Sequence, residues 1–256
     1  MRADRKRLRR WDRLALGIAL GALALVAALG GILRARQAAI QHAEGFDLPA
    51  PHTLKDPLTL WATWYWTPTY PSTQGVPLLD TDEQPLGLAL PPEQFCRAAV
   101  EGAVRIGGQV YTFAGIGPHK LTDCRPYWPQ MPQAPYVRFE ESDSPFGEGV
   151  DDYDLVPYRT IAVDERRIPI GTVLYIPQAR GNPITLPDGR RVLHDGYFFA
   201  ADDGYGIGGS HIDVFIGVSS DNPFPWVLSR PDATFTAYIV DDPAIKEKLR
   251  RRHLSP

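Results

Sequence analysis

The stretch from Ala200 to Gly217 concentrates the side chains of this 256-residue chain that could do chemistry. It holds three aspartates, Asp202, Asp203 and Asp213, and five glycines. Glycine turns let backbone approach a ligand closely, because no side chain intervenes. The apolar run Tyr197-Phe198-Phe199-Ala200-Ala201 predicts a buried strand that delivers Asp202 to its end. Ile212-Asp213-Val214-Phe215-Ile216 predicts a second strand, with one carboxylate among apolar neighbours. A carboxylate so placed is either paired and hydrogen-bonded, or keeps its proton towards neutral pH and can serve as an acid. His211 lies two residues before Asp213, so strand alternation puts both side chains on one face. Its plainest reading is an exposed residue at the strand's start; the alternative is a group that contacts substrate or tunes the aspartate.

A third carboxylate, Asp164, lies in the stretch from Ile161 to Ile176, within Ala162-Val163-Asp164 and just before Ile168-Pro169-Ile170-Gly171-Thr172. These motifs, with the strand Leu60-Trp61-Ala62-Thr63-Trp64-Tyr65, resemble the three-aspartate (3D) domain. That domain closes the membrane-bound lytic transglycosylase A family and occurs in related cell-wall enzymes. The resemblance spans roughly residues 58–240 and is most specific around Asp164, Asp202 and Asp213. It implies a mainly β chain, a six-stranded double-psi β-barrel with long loop insertions, and a pocket in which the three aspartates meet. It also implies peptidoglycan glycan strands as the substrate. In such enzymes the 6-hydroxyl of N-acetylmuramic acid attacks its own anomeric carbon and leaves a 1,6-anhydro product. The nucleophile is part of the substrate, so one carboxyl group can be both acid and base, where ordinary glycosidases need two.

Asp213, set in mid-strand where desolvation raises proton affinity, is the expected acid/base. Asp202 and Asp164 are expected beside it, and Tyr65, Gly204 and Gly206 as substrate contacts. Asp203 replaces the Thr-like residue usual in the family and reads as a turn residue or minor modifier. Without the resemblance, Asp202 and Asp164 read as turn or cap residues and Asp213 as a structural carboxylate held by backbone amides. Two other functions stay open: a glycan-binding module without catalysis, and a water-using β-1,4-glycan hydrolase.

The elements that must position these residues follow an N-terminal address. Residues 1–13 carry a net +5, and Leu14 to Leu33 contain neither charge nor proline. Twenty such residues at 1.5 Å each cross a hydrocarbon core of about 30 Å. The basic run outweighs Arg34 and Arg36, so the expectation is a single-pass inner-membrane anchor with its N-terminus cytoplasmic and the rest in the periplasm. A cleavable signal peptide is the rival, with a shorter apolar core as a rule. Residues 34–57 read as a linker, 58–240 as the barrel domain and 241–256 as a C-terminal helix and tail. Residues 37–256 carry a net −10, which disfavours nucleic acid as a partner.

Within the domain, short strands are predicted at Leu58–Trp66, Gln109–Ile116, Tyr136–Glu140, Tyr158–Asp164, Thr172–Ile176 and Thr234–Val240. A hairpin tip is expected at Asp188-Gly189. A helix starts at Pro91-Pro92 and is expected to run to Gly107-Gly108. Residues 67–92, with six prolines, read as an irregular excursion. The two cysteines, Cys96 and Cys124, are expected to form a disulfide in an oxidising compartment. Closing that loop contributes up to ~3.6 kcal/mol. The six histidines show no metal-ligand spacing, so neither metal nor other cofactor is implied.

Overall fold

A computed structural model describes residues 45–254, which lie in one compact unit. The predicted basic segment and membrane anchor, residues 1–33, and the first part of the linker lie outside the described residues. Among the described residues no helix is long and apolar enough to cross a membrane.

The expected six-stranded closed barrel is present. Its order around the wall is β1 (Lys55–Tyr65), β13 (His211–Phe215), β8 (Thr160–Ala162), β12 (Tyr197–Asp202), β9 (Val173–Tyr175) and β14 (Phe235–Ile239). The long β1 serves two neighbours. Its first half pairs antiparallel with β14, and its second half runs parallel to β13. A second parallel pair joins β12 to β8. Alternation fills the interior with Leu60, Ala62, Ile161, Leu174, Phe198, Ala200, Ile212, Val214 and Ala237. A closed wall of this kind leaves no unpaired edge.

Within the long insertion between β1 and β8 the expected helix and the strands at 109–116 and 136–140 are present, but residues 67–92 are not an irregular excursion: they hold three more strands. The insertion folds into a second β lobe with its own core of Val76, Leu78, Leu90, Phe95, Val104, Val137 and Phe139. A four-stranded sheet runs β2 (Thr69–Tyr70), β5 (Ala103–Ile106), β6 (Gln109–Ile116), β7 (Val137–Ser142), and β3 (Val76–Leu79) pairs with β4 (Pro85–Leu90) as a separate hairpin. The prolines misled the sequence reading because proline is compatible with a two-stranded ribbon, where one side of each strand needs no ladder partner. The hairpin is closed by Asp80, whose Oδ1 accepts the Asp82 and Gln84 amides.

Helix α1 spans Pro92–Glu101 and stops at Gly102, whose φ of 79° is a left-handed cap. It is therefore shorter than expected: Val104 belongs to β5, and Gly107-Gly108 form the β5–β6 turn. The disulfide Cys96–Cys124 is formed, with both residues fully buried, and ties α1 to the loop before Pro126. Helix α2 (Pro243–Arg252) is capped by Asp242, which accepts the Ala244 and Ile245 amides.

From Gly45 onward the segment read as linker is bound to the barrel. Arg159 and Asp195 form a buried two-pronged ion pair at 2.6 and 2.7 Å. Arg159 also donates to the Gly45 carbonyl, Asp195 accepts the Leu48 amide, and the Phe46 ring lies 4.0 Å from the guanidinium carbon.

Candidate active site

The register across four barrel strands assembles the site. Thr63 on β1 pairs with Asp213 on β13, Asp213 pairs with Ala162 on β8, and Ala162 pairs with Asp202 on β12. Residues paired in this way share a face of the sheet. The row is therefore Thr63, Asp213, Ala162, Asp202, with a small residue between the two carboxylates. At about 4.8 Å per strand, their backbones stand roughly 10 Å apart.

Asp202 joins that row only because β12 is irregular. Ala200 pairs with Ile161 and Asp202 with Ala162, so two steps on β12 match one on β8. Simple alternation from Phe198 and Ala200, both in the barrel core, would send Asp202 inward as well. The extra residue, Ala201, reverses the parity and brings Asp202 to the side of Asp213.

The partners of both carboxylates are hydroxyls and amides. Thr63 Oγ1 lies 2.7 Å from Asp213 Oδ1. The Tyr65 hydroxyl donates to Asp202 Oδ2 at 2.6 Å, and the Asp203 amide donates to Asp202 Oδ1 at 2.9 Å. Burial raises the pKa of Asp202 to about 7, and the nearby charges of Asp203 and Asp213 push the same way. Burial also raises Asp213 to about 7, reinforced by the charge of Glu101. Burial and the Asp202 charge hold the Tyr65 phenol well above its ordinary value, so it stays a donor.

Asp164 is treated differently. Arg166 grips it at 2.8 and 2.9 Å, and the Gly209 amide donates to its Oδ2 at 2.8 Å. Arg166 holds its pKa well below the usual carboxylate range. The bonds it makes tie down the end of the glycine loop, with Gly209 at φ 60°. The structure thus brings together Asp202 and Asp213, and places Asp164 as an ionised anchor of the loop that joins them.

Tyr65 is buried, its hydroxyl committed to Asp202. Gly204 and Gly206 lie in the exposed loop, and the Gly206 carbonyl is 3.2 Å from His211 Nδ1. A Cβ at Gly206 would meet no atom within 4 Å, so space does not require glycine there. Of the other aromatic candidates, Trp61 stacks on His211 and Trp64 Nε1 donates to the Ser220 carbonyl.

Two groups escaped the sequence reading. Glu101, the last residue of α1, is buried and points from the second lobe towards this cluster. Its Oε2 accepts the Trp66 amide at 3.2 Å, Arg97 Nη1 lies 3.4 Å from its Oε1, and burial raises its pKa to about 7. One cue existed. An acid at a helix C-terminus opposes the macrodipole and is usually placed there for another reason. Thr63 is the second, and its strand pattern offered no cue beyond adjacency to Trp64-Tyr65.

Trp66 and Arg97, which contact Glu101, also line an open pocket of about 450 Å³ together with Tyr70, Val218 and Ser220. Arg97 lies over both the Trp66 and Trp128 rings, 5.2 and 4.7 Å from their centroids. Among the described residues no group of three or more His, Cys, Asp or Glu is arranged to hold a metal ion.

Residues 159–226, which carry all three aspartates, match the family described as the 3D domain. No curated protein sequence matches the chain at a significant level. Among solved structures, the chain is similar to a membrane-bound lytic murein transglycosylase from Agrobacterium tumefaciens. The two share 15% identity over 74% of this chain and 76% of that one, with a TM-score of 0.45. It is also similar to E. coli MltA with bound chitohexaose, at 17% identity over 71% of each chain and a TM-score of 0.43. The lytic transglycosylase LtgG of Burkholderia pseudomallei is similar at 18% identity over 71% of each chain, with a TM-score of 0.34.

Proposed function

We propose that this 3D-domain chain is a peptidoglycan lytic transglycosylase in which Asp213 is the acid and base. The observation that carries the reading is the Asp213–Ala162–Asp202 row. It holds two carboxyl groups, both with raised proton affinity, on one face of the barrel. A group that titrates near 7 serves equally well as donor and acceptor near neutral pH.

The reaction then needs no second protein base. Neutral Asp213 gives its proton to the oxygen of the N-acetylmuramic acid–N-acetylglucosamine β-1,4 bond as that bond breaks. The resulting carboxylate takes the proton from the muramic 6-hydroxyl as its oxygen bonds to the anomeric carbon. Asp213 ends protonated, as it began. Asp202, oriented by Tyr65, adds negative charge near the positively charged ring centre when ionised. Asp164 acts from further away, by fixing the glycine loop that borders the row. Trp66 and Tyr70 line the neighbouring pocket and are the aromatic side chains there available to pack against a sugar ring.

The two parallel strand pairs support reading the barrel as the double-psi type. The apolar stretch 14–33 supports an inner-membrane anchor that holds the domain in the periplasm, against the cell wall. Digestion of purified sacculi with the full chain, followed by mass spectrometry of the soluble fragments, tests the activity. The expected result is fragments with 1,6-anhydro ends. Reducing ends would make the protein a hydrolase, and sedimentation with sacculi without soluble fragments would make it a binding module.

A further inference from the structure

Next to the carboxylate row, His211 is not the exposed residue its position at the strand's start suggested. It is buried, and its ring lies flat against Trp61 with centroids 3.7 Å apart and planes 5° apart. Both ring nitrogens are engaged. Nδ1 is 3.2 Å from the Gly206 carbonyl and Nε2 is 2.8 Å from Thr63 Oγ1. Thr63 Oγ1 is in turn 2.7 Å from Asp213 Oδ1. A continuous chain therefore runs from the Gly206 carbonyl through His211 and Thr63 to Asp213.

Hydrogen counting restricts what this chain can hold. A carbonyl only accepts, so the hydrogen between Nδ1 and Gly206 sits on Nδ1. A neutral imidazole has one N–H, which leaves Nε2 an acceptor. Thr63 has one hydroxyl hydrogen and must give it to Nε2. The contact between Thr63 and Asp213 then needs a hydrogen from Asp213. If Asp213 is instead ionised, Thr63 donates to it, and Nε2 must carry a hydrogen of its own. Each satisfied arrangement holds one mobile proton, at one end or the other. With the proton gone, two lone pairs face each other across 2.8 Å in a buried site, which costs free energy.

We propose that Thr63 and His211 form a proton relay with Asp213, so that the aspartate and the imidazole share one mobile proton and titrate as a unit. Its catalytic use rests on the reading of Asp213 as acid and base. A proton moves from Asp213 Oδ1 to Thr63 Oγ1 as the Thr63 proton passes to His211 Nε2, with no net gain or loss. When Asp213 gives its proton to the leaving oxygen, the chain is left one proton short and unsatisfied. That raises the affinity of Asp213 for the next proton, which the sugar 6-hydroxyl supplies. Thr63 and His211 are positioning residues here, since neither needs to touch substrate.

The surroundings favour the form with Asp213 protonated and His211 neutral. Burial pushes the His211 pKa down and that of Asp213 up to about 7. The charges bearing on the pair are Asp202 at the end of β12 and Glu101 of α1, the latter with Arg97 beside it. Across the glycine loop, Asp164 and Arg166 neutralise each other. Trp61 and Tyr65 on β1 add no charge while the Tyr65 phenol stays protonated.

The relay predicts a direction that simple packing does not. In His211→Gln, the side-chain amide can donate to Thr63, and the Thr63 hydrogen is released to Asp213 as a carboxylate. The high-pH limb of the pH–activity profile should then move down by about one unit, the scale of one charge-assisted hydrogen bond. Thr63→Ser keeps the hydroxyl and should keep the profile of the parent. The second readout does not use activity. In the full chain with ¹⁵N-labelled histidine, the His211 ring signals should show an Nδ1–H tautomer and move at the pH of the activity limb. In Thr63→Val they should move at a different pH. Ring signals that titrate identically in the parent and Thr63→Val would overturn the relay, even if Asp213→Asn is inactive. Coupled ring signals with an active Asp213→Asn would keep the relay and remove the role of Asp213 as the acid.

Discussion

Asp195, just before β12, and Asp213, within β13, are both carboxylates held against one barrel, yet they differ in protonation. Burial pushes both towards the neutral form. At Asp195 the charge of Arg159 and its two hydrogen bonds outweigh burial, and the pKa falls below its ordinary value. At Asp213 the partners are the Thr63 hydroxyl and a backbone amide, and burial wins. The neighbouring histidines follow their sites. His194, beside Arg159, is pushed down to about 3 by burial and then by that charge, whereas His211 is part of a chain that ends on a carboxyl group. The same residue type is thus a fixed clasp for residues 45–49 at one place and a proton carrier at the other. The presence of a buried guanidinium decides which.

Removing the proton carrier should have the largest effect. Asp213→Asn keeps the shape and the contact with Thr63 but cannot donate and recover a proton. Release of anhydro-muropeptides should fall by about 10²–10⁴-fold, with circular dichroism unchanged. Breaking the clasp comes next. Arg159→Ala leaves Asp195 buried without its cation, and unfolding should become easier by about 3–5 kcal/mol, read as a lower thermal midpoint.

The pH dependence of stability should separate the two sites by sign. Asp213 binds its proton up to about 7 when folded, and an unfolded aspartate releases it near about 4. Between those values the folded state holds the extra proton, so this contribution is greatest below pH ~4 and fades as pH rises to ~7. Asp195, with its lowered value, contributes in the opposite sense: its stabilisation is present above the unfolded value and is lost as pH falls. At pH 8, Asp213→Asn should therefore be more stable than the parent by about 1 kcal/mol, a figure kept small because Asp213 is partly solvent-exposed. Denaturant titrations at pH 5 and 8 measure it. The smallest effect is expected from Tyr65→Phe. Loss of the donor to Asp202 should cost about 1 kcal/mol and raise the proton affinity of Asp202 further, with activity reduced at most about tenfold.

How much of this could be read beforehand differs by residue. Strand alternation and turn residues announced most of the strands, the 3D-domain resemblance announced their closure into a barrel, and its motifs drew attention to Asp202 and Asp213. The bulge at Ala201 was not legible, because one extra residue leaves no mark in composition, yet it alone turns Asp202 to the face of Asp213. Asp164 was expected to share the pocket. Its partner Arg166 is two residues on, and nothing in the local pattern showed that the side chain would fold back onto it. The strands within residues 67–92 were hidden by their prolines, whereas Glu101 sits on a helix that was predicted and went unnoticed because its approach to the row depends on contacts between distant segments. His211 was placed on the right face by alternation and then misjudged as exposed, because the burying partner, Trp61, lies 150 positions earlier in the chain.

The most direct test of the charge-state difference is a ¹³C titration of the aspartate carboxyl carbons in the full chain, assigned by substitution. The Asp213 carbon should titrate near neutral pH, while those of Asp195 and Asp164 should already be ionised through the whole range above about pH 4. An Asp213 signal that is fully ionised from pH 5 upward would contradict the account.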